Sequence, residues 1–248
     1  MAIHLAMASG PAAGPAPARL ELLGDFALLM DGRPVNIPPA EQRLLAYVAC
    51  ADAPVSRNAV VSALWPDSDP VRARGNLRTS LWRIRRIGPV LIGSAGNGMC
   101  IDPAVSVDQR QGAHLARRVL AGQERLMPER AQEMRLLDRD VLPYWFEEWV
   151  DPYRESYRRL RVRALEEAGH RLLADGRPGD AVALAARAIK AEYLRDSAHW
   201  LLIRALMAEG NHSQAVERYR HYAHLLETEL GVTPPLSLME ILHGERRR

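Results

Sequence analysis

The sequence predicts a mainly helical protein in two parts, a small mixed α+β unit at the N-terminal side and an all-helical bundle after it. Three observations carry this. Short apolar runs broken by turn residues occupy positions 20–37 and 90–101. Three helical segments with their own start and stop signals fill the interval between them. In the C-terminal half, a block of sequence matches itself at an offset of 34 residues.

The bulk numbers set the frame. A chain of 248 residues, 48% hydrophobic, suits one large domain or two small ones with a real core. No run of about 18 apolar residues occurs, so no membrane-spanning helix is expected. Residues 1–18 are rich in Ala, Gly and Pro and hold no Arg or Lys. Pro11, Pro15 and Pro17 break them up, which is unlike a signal peptide and reads as a disordered leader of a cytoplasmic protein. Cys50 and Cys100 stand apart with no metal-ligand spacing, as expected in a reducing compartment. The net charge of +3 does not by itself point to nucleic acid. Lys190 is the one lysine, so nearly all positive charge is arginine, whose planar donor fork suits phosphates and guanine edges.

In the N-terminal part, strands are expected at 20–23 and 26–30, with Asp31-Gly32 turning into an extended run at 34–37. Pro38-Pro39 opens a helix over 40–51, with Glu41 in its first turn where the helix dipole favours an acid. Ser56 caps a short helix over 57–64, ended by Trp65-Pro66. Asp69-Pro70 then starts a third helix that runs to about residue 87, before Gly88-Pro89.

That third helix is the informative element. Between Pro70 and Ile101 there is no acidic residue, yet six arginines fall there. At 100° per residue, Ala73, Leu77, Leu81 and Ile84 share a narrow face that must be buried. The opposite face carries Arg72, Gly75, Thr79, Trp82 and Arg86, flanked by Asn76 and Arg83 on one side and Arg78 on the other. Such a face fits a major groove, where Arg can pair with guanine or phosphate and Asn76 can read adenine. A merely solvated charged face is the plainer reading, and the missing acids weigh against it. Groove contacts are therefore expected from Arg72, Asn76, Arg78, Thr79 and Arg83, phosphate contacts from Arg74, Arg85 and Arg86, and a stacking or protein contact from Trp82. After the helix, apolar runs at 90–92 and 99–101 flank a Gly-rich tip at 93–98, a hairpin the size of a wing. Strands, three helices and a hairpin follow the order of an OmpR-like winged helix-turn-helix.

In the C-terminal half, Leu172 to Gly176 with Ala181-Val182 aligns with Leu206 to Gly210 with Ala215-Val216. Thirty-four residues is the tetratricopeptide period, with small residues at the turn and the helix crossing. A long helix is expected over 156–173, two more over 105–138, and a short closing helix at 236–243. The aromatic-rich run at 141–150 reads as a core plug between the halves, with a ligand cage as the alternative. His199, His212, His221 and His224 lack partners at ligand spacing, and no nucleotide-loop or nucleophile motif is present. No catalytic residue, metal or cofactor is expected.

At this point the residues carry a resemblance from Arg19 onward. The run ARGNLRTSLWRIRR at 73–86 resembles the recognition helix of the Streptomyces antibiotic regulatory proteins, the SARP family. LPYWFEEWV at 142–150 resembles the opening of their bacterial transcriptional activation domain, and EGN at 209–211 through LETELGVTP at 226–234 its close. The resemblance implies an activator that binds direct repeats in double-stranded promoter DNA as a side-by-side homodimer. It also implies contact with RNA polymerase holoenzyme and control of secondary-metabolite (antibiotic) gene clusters. Two departures are visible: the hairpin tip holds no Arg or Lys, and Trp82 stands where a small polar residue is more usual. The implied division is a leader at 1–18, a DNA-binding domain at 19–104 and a helical activation domain at 105–248. Two rivals remain, a repeat scaffold that binds an acidic partner through the basic helix, and a metabolite sensor with its ligand beside Trp145 and Trp149.

Overall fold

The computed structural model describes residues 18–88, 90–123 and 131–234. Most of the expected leader, and the closing helix at 236–243, lie outside the described residues. Ala18 is not part of a leader: it opens the first strand, where it is buried and paired to Met30 and Val105.

The chain forms two compact units. The first comprises its described residues up to Gln109 together with Leu142–Val150, and the second Arg110–Val141 with the described residues from Asp151 on. In the first unit the order is β1 (Ala18–Glu21), β2 (Ala27–Met30), β3 (Arg33–Pro34), α1 (Pro39–Cys50), β4 (Val55–Ser56), α2 (Arg57–Leu64) and α3 (Pro70–Arg85). It continues with β5 (Ile92–Ala95), β6 (Gly98–Ile101) and β7 (Val105–Val107). One sheet has the order β3-β2-β1-β7, antiparallel except for the parallel β1–β7 pair, and the other has the order β4-β6-β5. Where α1 packs on α3 and β6, Leu44, Leu45 and Val48 of α1, Leu77 and Ile84 of α3 and Met99 of β6 are all buried. Each such buried side chain stabilises the unit by about 1.5–3 kcal/mol. Strands, helix-turn-helix and terminal hairpin form a winged helix-turn-helix, as the sequence predicts.

Three details depart from expectation. The buried stripe of α3 is Ala73, Leu77, Ser80 and Ile84, with Leu81 only half-buried. The expected six-residue tip is a two-residue turn, because Gly93, Ser94 and Ala95 pair with Cys100, Met99 and Gly98 and Gly96 takes φ +57°. Finally, β4 and β7 are too short to leave a periodic signal. The end of β7 is anchored by Asp108, whose buried carboxylate accepts hydrogen bonds from the backbone N–H of Leu22 at 2.7 Å and Leu23 at 3.0 Å.

The aromatic run packs within the first unit. Trp145 stacks on Phe26 at 5.9 Å, Trp149 meets Tyr47 edge-on at 5.2 Å, and the two indoles lie 6.1 Å apart. Leu142 N–H donates to the Leu22 carbonyl at 2.9 Å, and Arg43 holds Glu147 at 3.2 Å. The two indoles cover one another and are half-buried, whereas Tyr144 and Phe146 are exposed and, with Trp145, Pro39, Gln42, Arg43 and Glu147, line an open cleft.

The second unit contains α4 (Asp108–Leu120, whose first two residues belong to the first unit), α5 (Ala131–Met134) and a 3-10 turn over Arg135–Asp138. The long helices α6 (Asp151–Ala174), α7 (Pro178–Ala191), α8 (Asp196–Ala208) and α9 (His212–Leu230) come next. Arg161 anchors the preceding segment, donating to the Leu137 carbonyl and pairing with Asp140 at 2.7 Å. The turns between α6 and α7 and between α8 and α9 repeat each other bond for bond. Asp175 N–H to Arg171 carbonyl matches Glu209 to Ala205, Gly176 to Leu173 matches Gly210 to Met207, and Arg177 to Leu172 matches Asn211 to Leu206. Every pair is displaced by 34 positions. Gly176 and Gly210 take φ +72° and +85°, a left-handed conformation that costs a side chain about 1–2 kcal/mol.

Candidate nucleic-acid interface

Two N-caps set this surface. Asp69 Oδ1 accepts from Val71 N at 3.0 Å and Arg72 N at 3.2 Å, fixing the first turn of α3. Ser56 Oγ accepts from Ala59 N at 3.1 Å and does the same for α2. The acid that caps α3 is thus engaged with backbone amides. Along α3, Arg72, Arg74, Arg78, Thr79, Arg85 and Arg86 are exposed and Asn76 is half-buried. Thr79 Oγ1 donates to the Gly75 carbonyl at 3.0 Å.

The nine expected residues do not form one row. Arg74 and Arg78 line a cleft of about 380 Å³ between α3 and α2, joined by Arg57 and Asn58 from the first turn of α2. Val61, Val71 and Leu77 supply its apolar wall, and no carboxylate lines it. Val71, 74% exposed, lies on the outer edge of that wall. Trp82 and Arg86 pair with each other, the guanidinium lying 4.8 Å from the centroid of an indole that is 56% exposed. Arg83 reaches toward α1, where its Nη1 lies 3.5 Å from Glu41 Oε1. Glu41 is wholly buried and neither of its oxygens accepts a hydrogen bond.

Sequence reasoning missed Arg57, Asn58 and Glu41. The first two carried no signal for this cleft, which exists only where α2 packs against α3. Glu41 carried one for its position in the helix but none for its partner. In the hairpin, Ser94, Ala95, Gly96 and Asn97 are exposed, so the tip offers backbone and amide groups and no cation.

Among the described residues, no group of three or more His, Cys, Asp or Glu is placed to hold a metal ion. None of their helices is long and apolar enough to cross a membrane. His199 is buried and stacks on Tyr222 at 3.8 Å, with Nε2 2.9 Å from the Tyr193 carbonyl. Burial pushes its pKa down, and the neighbouring His221 adds to the effect.

A winged helix carrying an arginine-lined cleft, joined to a helical repeat, defines the class of transcription regulator that the sequence resembles. Residues 114–244 match the bacterial transcriptional activator domain, BTAD, and the chain belongs to that family. This bears out the SARP-type resemblance. The fold is similar to that of Mycobacterium tuberculosis EmbR, solved in complex with a low-affinity phosphopeptide. The TM-score is 0.69 at 22% identity, over 93% of this chain and 65% of that one. The chain therefore spans about two thirds of the length of the EmbR chain it matches. No curated protein matches the chain.

Proposed function

We propose that this transcriptional activator of the SARP type binds promoter direct repeats in double-stranded DNA as a side-by-side homodimer. It then recruits RNA polymerase holoenzyme, in the cytoplasm, to a secondary-metabolite gene cluster. The DNA-binding part, expected at 19–104, is assigned to the first unit and the activation part, expected at 105–248, to the second, with a tetratricopeptide-like repeat in the latter. No step in this reading is catalytic.

The observation that carries it is the acid-free cleft in which Arg57, Asn58, Arg74 and Arg78 converge beside the exposed face of α3. In this reading Arg72, Asn76, Arg78 and Thr79 face base edges. Arg57, Arg74, Arg85 and Arg86 hold phosphates, Arg83 divides its charge between Glu41 and the backbone, and Trp82 packs on sugar or polymerase.

The test is selection of bound genomic fragments by the purified full chain at two salt concentrations. Enrichment of short repeats about one helical turn apart is expected. Arg78→Ala or Asn76→Ala should cost about 1–3 kcal/mol and relax base choice at one position. Arg85→Ala should weaken all sequences alike and flatten the salt slope by about one unit. Equal losses on cognate and random DNA for all three variants would remove the base-reading assignment. Uniform binding by the wild type would favour the scaffold reading.

A further inference from the structure

The second unit carries a groove that the DNA-binding reading does not use. Leu202 and Leu206, one turn apart on α8, form its floor, and Val182 and Ile189 of α7 form one wall. Its volume is about 280 Å³, room for a pair of aliphatic side chains. At its edges stand two exposed cations, Lys190 from α7 and Arg218 from α9, and no Asp or Glu lines it.

Arg154, Arg158, Arg159, Arg161, Arg171, Arg177, Arg187 and Arg195 of the same unit all pair with carboxylates. Lys190 and Arg218, like the exposed Arg163, Arg204 and Arg220, have no carboxylate partner among the described residues. An apolar slot flanked by two unneutralised positive charges is complementary to a segment with apolar anchors and flanking negative charge.

We propose that the α7–α8–α9 groove docks an acidic amphipathic helix of a partner protein. One or two aliphatic side chains of that helix enter the slot, and its Asp or Glu residues meet Lys190 and Arg218. This rests on the reading of the second unit as the half that contacts protein, and it names the surface and the chemistry of the contact. Helix-in-groove recognition needs anchors about one turn apart, which is the spacing of the floor residues Leu202 and Leu206 that would receive them.

The probe is a fluorescein-labelled synthetic peptide of about 14 residues, four turns of helix, with Leu at i, i+4 and i+7 and Glu between them. Its anisotropy is followed on titration with the full chain at low and at physiological salt. Saturable binding that weakens with salt is expected. Exchanging Glu for Lys, or Leu for Ser, should each reduce affinity by about tenfold or more. On the protein side, the charge reversal Lys190→Glu with Arg218→Glu should reduce it similarly, as should Ala186→Trp, which fills the slot from its exposed lip. Helix content and promoter-DNA affinity should be unchanged in these variants. Absence of saturable binding, equal binding of the Lys peptide, or an unaffected charge-reversal variant would overturn the proposal. The DNA titration of the same wild-type sample separates the outcomes: peptide binding can fail while DNA binding stands, and the converse.

Discussion

At the scale of single residues, the buried charges differ in how they are held: Asp108 and Arg161 each have several partners, Glu41 a single ion-pair partner. Glu41 is sealed inside the first unit, with Arg83 as its ion-pair partner. Removing one partner of such a pair leaves a bare charge in the core, which costs more than the pair contributes. Arg83→Ala should therefore destabilise the protein by about 1–3 kcal/mol, seen as a lower Tm by circular dichroism, while Arg78→Ala leaves Tm unchanged. Adding Glu41→Leu to Arg83→Ala should restore much of the loss, since both charges are then gone. An unchanged Tm in Arg83→Ala would mean that the Glu41 pair adds nothing to stability. His199 gives a pH dependence of definite sign. Its folded pKa lies below the ordinary value of 6.5, with burial as the main cause. The unfolded chain therefore takes up the proton first as the pH falls. Stability from the neutral ring is full above about pH 6.5 and is lost below it, down to the folded pKa. Thermal melts between about pH 8 and pH 5 should show this decline, and His199→Phe, which keeps the stack on Tyr222, should flatten it.

At the scale of elements, legibility followed the length of the element. α1, α2 and α3 are predictable to within about two residues because each carries a cap or a proline at its start and an apolar stripe along its length. Asp69 is the clearest case. Asp69→Ala should cost about 1 kcal/mol, whereas Asp69→Asn, which keeps an acceptor oxygen, should cost a few tenths, both read from denaturant unfolding. The exchange of Leu81 for Ser80 in the buried stripe was not legible, because a serine reads as polar until its neighbours are known. β4 and β7 were missed for a related reason: two or three residues cannot show a period of two. Of the candidate site, the arginines of α3 were legible and their grouping was not. Arg57 and Arg74 are far apart in sequence, and their shared cleft exists only once α2 and α3 have packed. The repeat turns were the most legible feature of all, since Gly176 and Gly210 repeat in sequence and in backbone.

At the scale of the whole chain, the first unit is not continuous in sequence. It takes back Leu142–Val150 after the chain has left it, and that segment supplies both indoles, the Leu142–Leu22 hydrogen bond and the partner of Arg43. A fragment ending at Gln109 should therefore leave Phe26 and Tyr47 without their ring partners. It should unfold at clearly lower denaturant than a fragment ending at Val150, with tryptophan emission in the longer fragment reporting the packed indoles. Equal midpoints would mean that the aromatic run adds nothing to the unit.

That return of the chain bears on how such proteins can exchange parts. A recombination event with one crossover in the stretch between the winged helix and the helical repeat would carry Asp108 and β1 from one parent and Trp145 and Trp149 from the other. The new winged-helix half would have to pack on a stranger's indoles. Transfer of a complete winged-helix unit is thus tied to two segments, and chimaeras built by a double exchange, up to Gln109 and again over Leu142–Val150, are the ones in which the transplanted unit keeps its own indoles.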